Sequence, residues 1–221
     1  MKSQPSFHRN HGRTMVEVLV VLAVLCLLAG LLSLHAHKKK AVRRNPGRDA
    51  SFNIDCVNHL KQANLAFRIW ANDHGDHYPQ QVEGLAAEAE RGNVAAIFQV
   101  MSNELNTPKI LHCPMDQNRS AAKNFSDFND QHLSYFVSLS TNLDSPHAIL
   151  MGDDNLTIHS RPVPSGVFSF STNDPVSWTQ ERHINHVNFG FADGSVQQAT
   201  LIGFHQALVE GGLLTNRWVM P

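Results

Sequence analysis

Sequence motifs that mark many enzymes are missing from this chain of 221 residues. It has no His-Glu-x-x-His pair for a metalloprotease zinc ion, no glycine-framed nucleophilic serine and no glycine-rich loop to hold a phosphate. Internal repeats and low-complexity tracts are also missing. These absences weigh against a hydrolase, and we predict that the protein is not an enzyme.

An excess of either charge is lacking too. The formal net charge is −1, which gives no reason to expect a nucleic-acid partner. The 14 histidines are scattered along the chain, and scatter argues against a single metal cluster. Two pairs with acidic neighbours are the nearest candidates for an enzymatic zinc site, although both lie in loop-like sequence: His74 and His77 with Asp73 and Asp76, and His183 and His186 with Asp193.

Charged residues are absent from one long stretch near the N-terminus, between Val18 and Leu34. An apolar helix of about 20 residues can cross a hydrocarbon core of roughly 30 Å, so this run predicts a transmembrane helix at the short end of the range. Glu17 stands just before it, and a lone carboxylate in lipid is unfavourable by about 2.5–3.5 kcal/mol. If the chain is cut after Gly12, the new amine of Arg13 can pair with Glu17 of a neighbouring copy and set the register between subunits.

The segment Gly12-Arg-Thr-Met-Val-Glu17-Val-Leu-Val-Val-Leu-Ala-Val resembles the processing site of type IV pilins and of type II secretion pseudopilins. The resemblance implies that a prepilin peptidase cleaves after Gly12 and methylates the N-terminus of Arg13. It also implies that Glu17 guides subunit docking. The family usually has Phe after the cut, where this chain has Arg13.

Two further segments extend the resemblance. The stretch from Cys56 to Trp70, followed by Gly75-Asp-His-Tyr-Pro79, is similar to a group of pseudopilin-like proteins that resemble the G-type major subunit of type II secretion. His183 precedes Asp193-Gly194 by nine intervening residues, which resembles the processing-associated C-terminal signature of that group. We favour a structural interpretation, in which His183 braces a hairpin that Asp193-Gly194 turns; a role in recognition or maturation is the alternative.

The resemblance and the pattern together predict an α+β, pilin-like fold, in which a long, kinked N-terminal helix leads into a domain with an antiparallel sheet packed on helix. The expected divisions are a leader (1–12), a transmembrane and assembly helix (13–37), a basic kinked linker (38–48) and an extracytoplasmic domain (49–221). Cys56 and Cys113 could form a disulfide in an oxidising periplasm, or remain two buried thiols.

Local patterns predict the elements of the domain. Apolar residues at spacings of three and four indicate a helix from Asp49 to Asn72, and Asn93 is a suitable cap for the next one. Lys109–Pro114 reads as a short strand. Later strands are expected at 133–139, 148–151, 166–171 and 187–191, the last turning through a two-residue Asp193-Gly194 hairpin, followed by a helix at 201–209 and a C-terminal tail.

The acidic run Asp153-Asp154-Asn155 supplies oxygen ligands of the kind that calcium prefers. Major pseudopilins of the resembled class often carry calcium near their C-terminal loops. Because the spacing fits no specific calcium loop, we favour a turn here and predict no cofactor.

The predicted function is that of a pseudopilin in a type II secretion or type IV pilus-like fibre. The expected location is a single-pass inner-membrane protein with a cytoplasmic N-terminus and a periplasmic domain, which later enters an extracytoplasmic fibre. The basic residues at 38–44 oppose this orientation, since positive charge normally stays inside. Expected partners are other fibre subunits, the prepilin peptidase, an inner-membrane assembly platform and membrane lipid. The alternative is a monomeric, membrane-anchored periplasmic binding domain.

Overall fold

The computed structural model describes residues 15–36 and 46–221. The chain divides into two units, Met1–Arg44 and Asn45–Pro221. The predicted leader, the cleavage site and the basic segment at 38–44 lie outside the described residues.

The first helix, α1 (Met15–Ala36), does not support the predicted transmembrane span. Within the described parts of the chain, no helix combines the length and the apolar character needed to cross a membrane. The predictions of a transmembrane helix within the fold class, and of a single-pass inner-membrane location, are therefore wrong.

The second predicted helix is confirmed as α2 (Pro46–Asp73). Its apolar stripe is buried, as the spacing of three and four indicated, because each of those positions returns to the same face. The stripe consists of Cys56, Leu60, Ala63, Phe67 and Trp70, each at most 5% exposed. α2 is thus the central helix of one core.

Short helices follow α2 and cover the same core: α3 (Glu83–Glu90), α4 (Val94–Val100) and α5 (Ser102–Leu105), with single 3-10 turns at Pro79–Gln81, Pro108–Leu111 and Asp130–His132. Asn93 caps α4, since its side chain accepts a hydrogen bond from the Ala96 amide. The strand predicted at Lys109–Pro114 is wrong. Pro108 begins a 3-10 turn there, and the Thr107 side chain caps it by accepting from the Lys109 amide.

The main sheet is antiparallel and has six strands: β1 (Tyr135–Ser138), β2 (Ile149–Asp153), β5 (Gly166–Ser171), β7 (Val187–Phe191), β8 (Val196–Ala199) and β9 (Thr215–Met220), in the order β5-β9-β1-β2-β7-β8. A second, three-stranded sheet contains β3 (Leu156–Ile158), β4 (Arg161–Pro162) and β6 (Val176–Trp178). The helix α6 (Leu201–Glu210) connects β8 to β9.

The C-terminal segment, predicted as a tail, is an inner strand of the sheet. β9 pairs with β5 on one side and β1 on the other, and Trp218 is fully buried. Both neighbours are remote in sequence, so no local pattern identified the strand.

Both faces of the main sheet are covered. One face packs on α2 and the short helices through Tyr135, Val137 and Met151. The other contributes Phe136, Phe189 and Trp218 to a second core with α6 and the small sheet. Burial on both sides explains why β2 and β7 are buried at every position.

Candidate functional site

A buried network of charged side chains lies beside the end of β2. The Arg182 guanidinium binds the carboxylates of Asp116, at 2.7 Å, and Asp154, and it donates to the Ser134 carbonyl at 2.9 Å. Arg119 reaches the same two carboxylates from the solvent side, at 3.3 Å from Asp116 and 2.6 Å from Asp154. Two guanidinium groups therefore share two carboxylates.

Burial and charge oppose each other in this network. Burial alone would raise the pKa of Asp116, but Arg182 together with hydrogen bonds from Ser134 and the Asn118 amide holds that pKa below its usual value. Burial alone would lower the pKa of Arg182, but the surrounding carboxylates, Asp154 first among them, hold it above its usual value. Both groups are thus held in their charged forms.

His183 lies next to this network and against a disulfide. Cys56 of α2 and Cys113 are joined, with 5.1 Å between their Cα atoms. His183 Nε2 is 3.5 Å from Cys113 Sγ and 3.5 Å from Asp153 Oδ2. The disulfide, the histidine and the aspartate are all buried.

Asp193 and Gly194 lie at the other end of β7, in the loop to β8. The loop has three residues, because the Phe191 amide donates to the Ser195 carbonyl and the Gly194 amide donates to the Phe191 carbonyl. The two-residue hairpin predicted from the Asp-Gly pair is therefore wrong. Gly194 takes the left-handed φ of +93° that this loop requires, and Asp193 accepts from the amide and hydroxyl of Ser195.

This loop is attached to the C-terminal half of α2. Arg68 donates to the Ala192 carbonyl at 3.1 Å, and the Tyr78 hydroxyl donates to the same oxygen at 2.9 Å. Burial raises the pKa of Tyr78 to about 12, so the hydroxyl remains a donor at neutral pH. The Ala192 carbonyl is thus the atom through which Arg68 and Tyr78 hold the loop.

β7 is therefore held to α2 at two separate points, one close to each half of the C-terminal signature. Near His183, the His186 ring Nε2 lies 3.0 Å from Asn53 Oδ1 of α2. At the far end, Arg68 holds Ala192. The 15 helical positions from Asn53 to Arg68 rise about 22 Å, and the six extended positions from His186 to Ala192 span about 20 Å. The distance between the two attachment points along β7 thus matches the distance between them along α2.

We expect Gly194→Ala to destabilise the protein more than Gly212→Ala. Both glycines have positive φ, so each substitution strains the backbone by about 1–2 kcal/mol. A Cβ at Gly194 would also lie 2.8 Å from Arg68 Cδ, whereas one at Gly212 meets nothing within 4 Å. Displacing Arg68 would remove its hydrogen bond to the Ala192 carbonyl. We therefore expect Gly194→Ala to lower the free energy of unfolding, measured in urea, by about 1 kcal/mol more than Gly212→Ala does.

The variant Arg68→Ala supplies the control. In that background the excess of Gly194→Ala over Gly212→Ala should disappear, because the side chain that overlaps is gone. An excess that persists would show that Arg68 is not what couples the turn to α2.

The three residues proposed for calcium contact different partners. Asp153 Oδ2 accepts from the Asn188 amide at 2.8 Å, Asp154 binds the two arginines, and the Asn155 amide group donates to the Thr179 carbonyl. Asp153 is the last residue of β2, and Asp154 and Asn155 form the short connection to β3. Their side chains serve the protein's own packing.

The first histidine pair makes separate local contacts. The His74 ring stacks on Trp70 with centroids 3.6 Å apart, and His77 Nδ1 lies 2.6 Å from the Gly75 carbonyl. His183 and His186 do lie close, with ring centroids 5.1 Å apart, but Asp193 is placed at the opposite end of β7.

A cavity of about 380 Å³ opens on the solvent side of the charged network. Arg119, Asp154 and Arg182 line its floor, with Glu181 and Asn155 beside them. Its charged and polar lining suits a small polar ligand.

Sequence reasoning missed Asp116, Arg119 and Arg182. Two of them lie close in sequence to residues that were singled out: Asp116 follows Cys113 by three positions, and Arg182 directly precedes His183. Of the predicted assembly residues, Gly12 and Arg13 lie outside the described residues, and Glu17 is exposed in the first turn of α1. Comparisons with family models, with curated proteins and with solved structures found no match for this chain.

Proposed function

We propose that this protein is a pseudopilin-type structural subunit, which a prepilin peptidase cuts after Gly12 and which assembles into a fibre through α1. The observation that carries the proposal is the processing-type segment from Gly12 to Glu17, which overlaps the first turn of a helix with exposed apolar side chains. Every side chain from Met15 to Leu28 is exposed in the single chain. Apolar surface of this extent favours association, because burial contributes about 25 cal/mol per Å².

Packing of α1 against copies of itself would cover this surface and supply the driving force for assembly. Glu17 is the only charged residue from Met15 to Leu34, so it can distinguish one axial register from another. The proposed ion-pair partner of Glu17 is the new N-terminal amine of Arg13 in an adjacent subunit. Pairing of this kind contributes more to specificity than to net stability.

In this role the domain would act as a rigid body. The two attachments of β7 tie the main sheet to α2, and the disulfide ties α2 to the segment that carries Asp116. The charged network then ties that segment to Arg182 and to the end of β2. The proposed partners are other subunits of the fibre, the peptidase and the assembly platform of a type II secretion or type IV pilus machine.

Co-expression with a prepilin peptidase tests the first step. Intact-mass measurement should show loss of residues 1–12 and the added mass of one methyl group on Arg13. A Gly12→Val variant should remain full length, because a bulky residue replaces the glycine at the cut. Wild-type chain that keeps its initiator methionine beside an active peptidase would refute the proposal.

The second arm of this test examines docking. Glu17→Ala should be cleaved as efficiently as wild type but should give no fibres in sheared fractions or by electron microscopy. Glu83→Ala, an exposed acid on α3, is the matched control and should assemble normally. Normal assembly of Glu17→Ala would remove the docking role while leaving cleavage in place.

A monomeric binding domain is the second candidate, and the cavity beside Arg119 and Arg182 favours it. This alternative predicts that purified, processed chain stays monomeric at all concentrations by light scattering. Concentration-dependent growth that requires Glu17 would instead support the fibre subunit.

A further inference from the structure

The disulfide and its neighbours contain a second possible arrangement. Cys56 Sγ, Cys113 Sγ and His183 Nε2 all lie within 4.8 Å of one another, and the three residues are buried. Asp153 adds a carboxylate oxygen 3.5 Å from the same ring nitrogen. Two sulfurs, one imidazole and one carboxylate are ligand types that Zn²⁺ accepts.

The distances around His183 match the edges of a zinc tetrahedron. With Zn–S near 2.3 Å and Zn–N near 2.05 Å, a tetrahedral ion holds sulfur and nitrogen about 3.5 Å apart, and nitrogen and oxygen about 3.4 Å apart. The observed separations from Nε2 are 3.5 Å to Cys113 Sγ and 3.5 Å to Asp153 Oδ2. Good hydrogen bonds between nitrogen and oxygen are shorter, at about 2.7–3.2 Å.

Asp153 provides an independent sign that a cation belongs here. The residue is fully buried, and within the described part of the chain its Oδ1 accepts no hydrogen bond. Its other oxygen accepts from the Asn188 amide and faces His183. A buried carboxylate with one oxygen lacking a donor is unfavourable, and a cation bound at Oδ2, the oxygen that faces His183, would compensate the charge of the whole group.

We propose that the dithiol form of this protein binds one Zn²⁺ through Cys56, Cys113 and His183, with Asp153 as the fourth ligand. Disulfide and zinc site are alternative states of the same residues. An added dithiol or phosphine reductant supplies two electrons, and two protons from solvent convert the disulfide into two thiols. Binding of Zn²⁺ then releases both thiol protons, so that the ion and two thiolates together add no net charge to a buried site.

Only modest movement separates the two states. The Cα atoms of the cysteines are 5.1 Å apart, and tetrahedral zinc holds two sulfurs about 3.8 Å apart. Rotation of the two cysteine side chains would provide this separation, and a shift of the Asp153 carboxylate toward the sulfurs would complete the site, because the group within 4.8 Å contains only the two sulfurs and His183. The site is closed, with four protein ligands, which is typical of structural rather than catalytic zinc. The proposal concerns the domain alone and stands whether or not the chain forms fibres.

Refolding of the full-length chain tests this, in a Cys26→Ser background that removes the third thiol. The protein is refolded with a phosphine reductant and ZnCl₂, or oxidised with ZnCl₂, then desalted and assayed for zinc by elemental analysis. We expect about one zinc per reduced chain and less than about 0.1 per oxidised chain. Co²⁺ in place of zinc should give the intense visible bands of a tetrahedral, thiolate-bound ion.

Variants separate this site from loose binding by two thiols. His183→Ala should weaken zinc binding more than about 100-fold, since even an outer partner of a zinc site is worth about 10–100-fold. Asp153→Asn should weaken it about tenfold or more. His186→Ala is the matched control and should bind like wild type, because His186 contacts Asn53 of α2 instead.

Three results would overturn the proposal. One is a reduced, native-like chain, by circular dichroism, that retains less than about 0.1 zinc. Another is equal loss of zinc in the variants at His183 and His186. The third is a reduced wild-type chain that fails to fold with zinc as it fails without it, because zinc then does not replace the disulfide. Folding of the reduced chain only when zinc is present would support the proposal without any variant.

Discussion

Arg182→Met is expected to lower the free energy of unfolding by about 3–5 kcal/mol. The methionine keeps most of the packing volume, but it leaves Asp116 and Asp154 without the guanidinium that compensates them. Asp116 is fully shielded from water and cannot recover hydration in place of the lost pair. Arg119 would still contact both carboxylates, but it is partly exposed and lies 3.3 Å from Asp116, so it compensates them only in part. Urea unfolding followed by tryptophan fluorescence measures the change.

Arg217→Met is the control for this prediction. Arg217 pairs with Glu90 on the surface, where both side chains are nearly half exposed, so its loss should change stability by less than about 1 kcal/mol. Adding Asp116→Asn to Arg182→Met should recover part of the stability, because it removes an uncompensated charge. A loss below about 1 kcal/mol for Arg182→Met would show that the network is hydrated and structurally dispensable.

Replacing Cys56 and Cys113 together by alanine is expected to lower the free energy of unfolding by about 4 kcal/mol. The disulfide closes a loop of 57 positions, and the chain-entropy relation for a loop of this length gives that magnitude. The bond also joins α2 to the segment that carries Asp116, so its removal loosens the network from the helix. Thermal and urea unfolding of the oxidised proteins should agree on the loss.

Cys26→Ser serves as the reference for the double variant. Cys26 is exposed on α1 and is a free thiol, so its replacement should leave the unfolding of the domain unchanged. A double variant as stable as this reference would mean that the disulfide constrains neither the unfolded chain nor the network. Added zinc should stabilise the reduced wild type and leave the double variant unaffected, which connects this measurement to the proposed metal site.

The C-terminal signature has a structural account in this molecule. Its histidine lies against the disulfide, and its Asp-Gly pair forms a turn attached to α2, so the two parts act on one helix from the two ends of one strand. From the sequence we favoured a structural role in which His183 braces the hairpin. In the structure His183 instead contacts the disulfide and Asp153. A role in maturation stays a prediction.

Local elements were predictable because neighbouring residues decide them. Apolar spacing from Cys56 to Trp70 is sufficient for α2, and an asparagine that accepts from an amide three positions on is sufficient for the start of α4. The alternation of apolar residues up to Asp193-Gly194 predicted a hairpin but not its three-residue loop. The loop length depends on which residues form the last hydrogen-bonded pair, here Phe191 and Ser195. The apolar N-terminal run predicted a helix correctly and a membrane span wrongly.

The sequence alone determined that α2 and α4 are helical and which cysteines were available to pair. Only the tertiary structure decided that β9 is an inner strand, that Arg182 lies between Asp116 and Asp154, and that His183 faces the disulfide. Asp116 and Arg182 are 66 positions apart, and Cys113 and His183 are 70 apart. Contacts over such distances depend on how α2 and the sheet pack, because a buried charge is paired with whichever partner that packing brings within reach.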